Sequence, residues 1–385
     1  MFPSLRHRGK TALVLAGGGI MGAAYEIGSL TALDQMFGDD FSVNQFDMFV
    51  GTSAGSVIAS LMANQIKSAD LFRAVDLDEQ NVFNWRRRDI YRFEVGQLCS
   101  AWWRMTRNLW RIVGSYRQRR SSFSWQDLSY LFQEQFPAGL FSLNPMQDYL
   151  RRAFQEAGIA DDFSQLEREL YIPAYDLDRG ERVVFGSEDF RDVHICQAIT
   201  ASSAIPFFFR PHRVGGRYYI DGNTGRISHI DVAIERGAKL IVLVNPRVPM
   251  HNDPERSCLP SLSYGHCASI AELGIGVAWE QAQRIENHEK LQMALANYAL
   301  LHPDVEILII EPGLDKSLLF FQSPMSQAAR NHIMHYGYHL TLGHLRAEYG
   351  KFAKPFRRFG IDTSDQRLQD MFPEREQPPL PGEET

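Results

Sequence analysis

Short apolar segments rich in β-branched residues alternate along this chain with segments whose apolar residues recur at helical spacing. The first two strand–helix pairs place strands at 11–16 and 46–50 and helices at 23–36 and 55–64. The later elements in the same pattern are strands at 170–177, 182–187, 217–223 and 239–246 and helices at 194–205 and 231–238. This order predicts an α/β fold with a largely parallel central sheet flanked by helices.

The pattern changes after about residue 248, where longer helical segments surround a single apolar strand at 305–312. The whole chain has 385 residues, 44% of them apolar and 22% charged, which is typical of a globular protein with a sizeable core. We expect an N-terminal tail at 1–9, an α/β domain at 10–247 with an inserted helical segment at 82–125, a mainly helical C-terminal extension at 248–360 and a disordered tail at 361–385.

A glycine loop with the sequence AGGGIMG, residues 16–22, follows the first strand and opens the first helix. Gly17, Gly19 and Gly22 have the G-x-G-x-x-G spacing of dinucleotide-binding proteins, so an oxidoreductase is one interpretation. That class also needs an acidic residue at the end of the second strand, whereas Asp47 stands at the start of it. The alternative use of the loop is as a nest of backbone N–H donors that binds a negatively charged oxygen.

The segment GTSAG, residues 51–55, follows the second strand and opens the second helix. Glycines two residues on either side of a serine allow a strand and a helix to pass closely, so Gly51 and Gly55 predict a nucleophile elbow that exposes Ser53. The alternative is an ordinary glycine turn in which Ser53 caps the helix. Both glycine-containing loops fall at the C-terminal ends of strands, where ligands bind in α/β sheets.

A nucleophilic serine needs a proton acceptor, and none of the twelve histidines stands at a strand end of the α/β part. We therefore expect His194, His212 and His229 to be surface or structural residues. Asp221 follows the strand that ends at Ile220 and precedes a glycine, which predicts a carboxylate at the same sheet edge as Ser53. The alternative is that Asp-Gly forms a simple turn.

The ordered set G-G-G-x-x-G, G-x-S-x-G and D-G resembles the patatin-like phospholipase family over roughly residues 10–247. Ala201, Ser202 and Pro206 also match the family's A-S-x-x-x-P block. The resemblance implies a serine-dependent carboxylic ester hydrolase that cleaves acyl esters of phospholipids or other lipids without metal or cofactor. By the same resemblance the nucleophile is Ser53, the general base is Asp221 and the oxyanion hole is formed by the amides of Gly17, Gly18, Gly19 and Gly22.

Three positions depart from the family pattern. Met21 stands where the family usually has arginine or lysine, Asn223 replaces a small residue, and His229 stands where proline is common. The alternative to an active hydrolase is therefore a catalytically weakened protein of the same fold that binds lipid.

Residues 82–125 contain five of the six tryptophans and a local charge of +8, from ten arginines against Asp89 and Glu94. A helix over 98–113 would place apolar side chains on one face and arginines opposite, with two tryptophans between them. This arrangement is typical of a helix at an anionic membrane surface. The alternatives are an amphipathic helix packed on the core and a surface that binds RNA. The residues predicted to contact membrane are Trp102, Trp103, Arg104, Arg107, Trp110 and Arg111.

The overall net charge of −6 gives no indication of nucleic-acid binding. Cys99, Cys196, Cys258 and Cys267 are scattered, which favours reduced cysteines in an intracellular protein. No run reaches the roughly 18 apolar residues of a membrane-spanning helix. We expect a cytoplasmic protein, peripheral to the membrane, and the sequence leaves its oligomeric state open.

Overall fold

The computed structural model describes residues 9–78, 87–93, 103, 137–226, 228–253, 267–313 and 327–370. Within these residues the strands are β1 (Lys10–Leu15), β2 (Met48–Gly51), β3 (Arg92–Phe93), β4 (Gly139–Ser142), β5 (Glu169–Asp176), β6 (Glu181–Phe185), β7 (Phe207–Phe209), β8 (His212–Val214), β9 (Arg217–Asp221), β10 (Ala238–Val244) and β11 (Glu306–Ile310). The helices are α1 (Gly19–Asp34), α2 (Ala54–Ala63), α3 (Ser68–Asp76), α4 (Arg87–Ile90), α5 (Asn144–Ala157), α6 (Ile195–Ser202), α7 (Ile230–Glu235), α8 (Ile275–Leu301), α9 (Gln327–Ala347), α10 (Tyr349–Arg358) and α11 (Asp365–Asp370).

The central sheet has eight strands in the order β11-β10-β1-β2-β5-β9-β8, with β6 paired to β5. The strands from β11 to β5 run parallel, whereas β6, β8 and β9 are antiparallel to their neighbours. The prediction of a largely parallel α/β sheet flanked by helices is therefore confirmed. A second sheet of three short strands has the order β3-β4-β7.

Both faces of the central sheet are covered by helices. Leu13 and Leu15 of β1 face a core that includes buried residues of α1, α2 and α9. Ala12 and Val14 of the same strand face the opposite core, which contains Ile230 at the start of α7 and residues of α8. The near-continuous apolar sequence of β1 and β10 follows from this burial on both sides.

The segment expected to form a C-terminal extension takes part in the main fold. Strand β11 pairs with β10 at the edge of the sheet, and α9 packs directly on α1. The two helices approach closely at glycines: a side chain at Gly337 would lie 2.7 Å from the carbonyl oxygen of Tyr25. Helix α1 is thus buried between the sheet and α9.

The expectation about the cysteines meets an exception in the structure. Cys267 is in a disulfide, so the expectation that all four cysteines are reduced is wrong for this residue. The sequence spacing does not indicate this pairing, because the path of the chain decides which thiols meet. Phe207 and Phe208 are exposed on β7.

The predicted membrane-contact segment is described only at Trp103, which is helical with an exposed fraction of 62%. Trp102, Arg104, Arg107, Trp110 and Arg111 lie outside the described residues. Among the helices that the structure describes, none has the length and apolar character needed to cross a membrane.

Candidate active site

The predicted elbow is a sharp turn between β2 and α2. Ser53 has φ 53° and ψ −130°, and its side chain makes no capping hydrogen bond to the helix that follows. A positive φ is unfavourable for a serine, so the surrounding structure must impose it. Glycine is required at position 51, because a side chain there would lie 2.6 Å from the Cα atom of Ser56. Ser53 thus occupies the N-cap position of α2, but its side chain does not cap the helix.

The structure brings Asp221 to this elbow. Strand β9 ends at Asp221, opposite Ala174 of β5, which is itself next to β2 in the sheet. Gly222 then allows the chain to pass close to the elbow, because a side chain at that position would lie 2.7 Å from the methyl group of Thr52. The side chain of Ser53 lies close enough to the carboxyl group of Asp221 to lower its pKa. We call these two residues the dyad.

Burial tunes the basicity of Asp221. Its exposed fraction is 4%, and desolvation raises the pKa of its carboxyl group to about 6. The amide of Asn223 opposes this shift by donating to Oδ1 over 2.8 Å, as do the hydroxyl of Ser53 and the charge of Arg247. The carboxyl group is therefore ionised at neutral pH but is a stronger base than an exposed aspartate.

The glycine loop lies against the elbow, because a side chain at Gly17 would overlap the carbonyl oxygen of Thr52. Two of the four amides predicted for the oxyanion hole are engaged elsewhere. The N–H of Gly17 donates to Glu26 over 2.8 Å and the N–H of Gly22 donates to the carbonyl of Gly18 over 3.2 Å.

The amides of Gly18 and Gly19 donate no hydrogen bond within the described part of the chain, and the same holds for the amide of Ala54. Ala54 directly follows the serine, the position that supplies an oxyanion donor in other nucleophile elbows. Of the four amides predicted for the oxyanion hole, those of Gly18 and Gly19 therefore remain available, and the amide of Ala54, which was not among the four, is available as well.

Glu26 is a second residue that the sequence argument missed. It is fully buried in α1, where desolvation raises the pKa of its carboxyl group to about 8. Its Oε1 holds the amide of Gly17, and a side chain at Gly55 would lie 3.0 Å from the same atom. This carboxyl group thus joins the glycine loop to the elbow helix. The sequence does contain one indication of this role, because Glu26 is the single acidic residue in the apolar stretch GAAYEIG.

Two of the departures from the family pattern support the turn after Asp221. The side-chain amide of Asn223 donates to the carbonyl of Ala16 over 3.0 Å and so ties this turn to the start of the glycine loop. His229 is buried, and its Nε2 lies 2.9 Å from the carbonyl oxygen of Gly222. Burial lowers the pKa of His229 to about 4, so the ring is neutral.

The remaining predicted residues have structural positions. His212 is buried and contacts Gln147, whereas His194 is exposed beside Asp161. Asp47 binds the amide of Thr11 at the opposite end of β1 from the glycine loop, so it is not a ribose ligand at that loop. Among the described residues, no group of three or more His, Cys, Asp or Glu could hold a metal ion.

A family model described as patatin-like phospholipase matches residues 13–226, which include the glycine loop, the elbow and Asp221. The chain belongs to the patatin-like phospholipase family. The matched segment is more than half of the chain, and its C-terminal limit follows the turn after Asp221 by a few residues.

This patatin-like protein is also similar to individual proteins. It is 22% identical over 232 residues to the probable lipid hydrolase 463L of Invertebrate iridescent virus 6, a match that covers 60% of this chain and 66% of the relative. Among solved structures, VipD of Legionella pneumophila is 17% identical, with a TM-score of 0.36 and 88% and 67% of the two chains covered. The type III effector ExoU of Pseudomonas aeruginosa is 15% identical, with a TM-score of 0.34 and coverage of 87% and 52%.

Proposed function

We propose that this patatin-like protein is a lipid acyl hydrolase that cleaves acyl esters through Ser53 and Asp221. The observation that carries the proposal is the position of the buried Asp221 carboxyl group, which the turn at Gly222 brings to the Ser53 elbow beside the glycine loop. The family membership and the name of the viral relative support a lipid ester as the substrate.

In the proposed cycle Asp221 takes the hydroxyl proton of Ser53 while Oγ forms a bond to the carbonyl carbon of the ester. The resulting oxyanion is held by the amides of Gly18, Gly19 and Ala54. As the intermediate collapses, the bond to the alcohol breaks and Asp221 returns the proton to the leaving oxygen. A water molecule then attacks the acyl-serine, gives its proton to Asp221, and the fatty acid leaves as the proton returns to Ser53.

The alternative is a protein that binds lipid with little or no turnover. Met21 favours it, because this residue leaves the glycine loop without the basic side chain that is usual in the family. We regard the hydrolase as better supported, since the dyad contact and the elbow geometry are both present.

A fluorophosphonate probe separates the two functions. The wild-type protein should be labelled and should hydrolyse p-nitrophenyl butyrate, whereas Ser53→Ala should lose both properties. Ser56→Ala is a control in the helix that follows, because the Ser56 hydroxyl donates to the backbone carbonyl of Ser53 and not to the Ser53 hydroxyl or the Asp221 carboxyl group. Absence of labelling and hydrolysis in a folded wild-type protein that still binds lipid vesicles would establish the binding protein instead.

We further propose that the protein reaches its substrate at an anionic membrane surface. The exposed Trp103 and the basic composition of 82–125 support this. Sedimentation with vesicles should rise with the fraction of phosphatidylglycerol and fall in a Trp103→Ala, Trp110→Ala double variant. Equal sedimentation of both proteins with neutral and anionic vesicles would contradict membrane docking by this segment.

A further inference from the structure

Arg247 reaches the glycine loop from the end of β10, the strand that lies next to β1 on the side opposite β2. It follows β10 by three residues, and a side chain at Gly18 would lie 3.1 Å from its Cγ atom. The side chain of Arg247 has an exposed fraction of only 14%. Its aliphatic part therefore packs on the segment that carries the remaining oxyanion donors, and its positive charge lowers the pKa of Asp221.

The guanidinium of Arg247 is incompletely paired. Its Nη2 lies 3.7 Å from Oε1 of Glu280, beyond hydrogen-bond distance, and its buried Nε has no hydrogen-bond partner in the described part of the chain. Glu280 makes a closer contact with Arg284, whose Nε donates a hydrogen bond to the same oxygen over 3.0 Å. A buried guanidinium has five N–H donors, so this arrangement leaves Arg247 able to bind a further anion.

The charges around the dyad change during the proposed cycle. At rest, Arg247 and Glu280 act electrostatically on the Asp221 carboxylate, and Glu280 pairs with Arg284, so the formal charges of these four groups sum to zero. When Asp221 takes the proton of Ser53, the group acquires one net positive charge at the moment an oxyanion forms nearby. Within the glycine loop itself, residues 16–22 contain no basic side chain. Arg247 thus brings a positive charge to the glycine loop from outside it.

We propose that Arg247 binds an anionic oxygen of the substrate beside Gly18. This inference rests on the proposed function and names a residue that the glycine and serine motifs do not contain. The anionic oxygen has two sources: the oxyanion of the tetrahedral intermediate, which every ester forms, and the phosphate of a lipid headgroup, which only a phospholipid carries. Arginine suits both, because its planar fork binds two oxygens at once.

The kinetic test compares Arg247→Gln and Arg247→Lys with the wild type on a neutral ester, p-nitrophenyl butyrate, and on phosphatidylglycerol in mixed micelles. Arg73→Gln is the control, since Arg73 is an exposed residue paired with Asp70 on α3. If Arg247 binds the oxyanion, Arg247→Gln lowers kcat on both substrates by about 100-fold. If it binds the headgroup phosphate, the loss is confined to phosphatidylglycerol and appears mainly in KM. The Arg247→Lys variant should keep part of the activity, because lysine retains the positive charge but lacks the planar guanidinium group that binds two oxygens.

A binding measurement keeps the test independent of turnover. In the Ser53→Ala protein, affinity for dodecyl phosphate should fall on adding Arg247→Gln, whereas affinity for the neutral detergent dodecyl maltoside should not change. Thermal melting shows whether each variant is folded. If Arg247→Gln does not fold, the same binding measurement is made with Arg247→Lys.

The outcomes separate the two proposals. Wild-type kinetics on both substrates together with unchanged binding of dodecyl phosphate would overturn the role of Arg247 and leave the hydrolase standing. An inactive wild-type protein with Arg247-dependent binding of dodecyl phosphate would overturn the hydrolase and leave the anion site standing.

Discussion

The side-chain oxygen of Ser202 accepts a hydrogen bond from the backbone N–H of Ser53 over 3.0 Å. The same hydroxyl donates to the carbonyl of Pro173 over 2.6 Å. Ser202 is the last residue of α6 and Pro173 lies in β5, so one buried side chain joins the elbow to a helix and to the sheet. This contact satisfies the amide of a residue whose positive φ needs external support, and it explains why a serine belongs in the A-S-x-x-x-P block.

Ser202→Ala should weaken both the fold and the activity. It leaves the N–H of Ser53 and the carbonyl of Pro173 without their partner, which costs about 1–3 kcal/mol of stability for a buried group. Because the nucleophile then loses its fixed position, kcat for p-nitrophenyl butyrate should fall while KM changes little. The measurements are urea unfolding and steady-state kinetics.

Ser203→Ala is the matched control for that variant. Ser203 is the next residue and is also buried, but its hydroxyl has no hydrogen-bond partner in the described part of the chain. We expect its stability and kinetics to be close to those of the wild type. An equal loss in both variants would mean that the Ser202 hydroxyl has no special role at the elbow.

The glycine loop offers a comparison of two glycines that both have positive φ. Gly17 has φ 74° and a side chain there would overlap the carbonyl oxygen of Thr52, whereas nothing lies within 4 Å of a side chain at Gly19, which has φ 69°. Gly19→Ala should therefore cost only the backbone penalty of about 1–2 kcal/mol. Gly17→Ala should cost more, because the loop must also move away from the elbow.

Urea unfolding of both variants measures this difference, and fluorophosphonate labelling reports the site. Labelling should be lost more completely in Gly17→Ala than in Gly19→Ala at the same folded fraction. Equal unfolding free energies in the two variants would contradict the close contact between the loop and the elbow.

Much of the fold and the placing of Ser53 and Asp221 at the ends of strands could be predicted because local sequence patterns indicate them. The alternation of apolar strands and helices predicts the parallel sheet, and the glycine spacing around Ser53 predicts a turn that only glycines permit. The position of Asp221 also followed, since a residue at the end of an apolar strand must emerge at a sheet edge. These features depend on residues that are neighbours in the chain.

The supporting residues could not be predicted because their partners are distant in the chain. Ser202 meets Ser53 across 149 positions, and Asn223 meets Ala16 across 207. Arg247 lies beside Gly18 only because β10 pairs with β1. Glu26 is close in sequence to Gly17, but its role depends on being fully buried, which an isolated acidic residue in a helix does not indicate.

Replacement of Glu26 by glutamine should remove a pH dependence of stability. Burial raises the pKa of Glu26 from 4.5 to about 8, so the folded protein binds a proton that the unfolded chain releases between these values. Stability is therefore lost as the pH rises through this window. Glutamine still accepts the Gly17 amide but does not ionise. At pH 9, Glu26→Gln should be more stable than the wild type by about 1–3 kcal/mol.

Urea unfolding at pH 5, 7 and 9 measures this effect. The two proteins should unfold at similar urea concentrations at pH 5 and diverge as the pH rises. Glu235→Gln is the control, because Glu235 is exposed on α7 and its replacement should not alter the pH slope. Parallel pH dependences of the wild type and Glu26→Gln would show that Glu26 does not titrate in this window.

The rate of hydrolysis should depend on the ionisation of Asp221. Only the carboxylate can take the proton of Ser53, and burial raises the pKa of this group from 3.8 to about 6. The value of kcat/KM for p-nitrophenyl butyrate should therefore rise with pH, with a midpoint near 6, and then reach a plateau. Asp221→Asn should lower the plateau by about 10²–10⁴-fold, because the general base is lost, and should abolish the midpoint.

Asp192→Asn, which changes an exposed aspartate, should keep the wild-type profile. A midpoint near 4 in the wild type would contradict the raised pKa of Asp221. An Asp221→Asn variant that keeps the midpoint near 6 would mean that another group accepts the proton of Ser53.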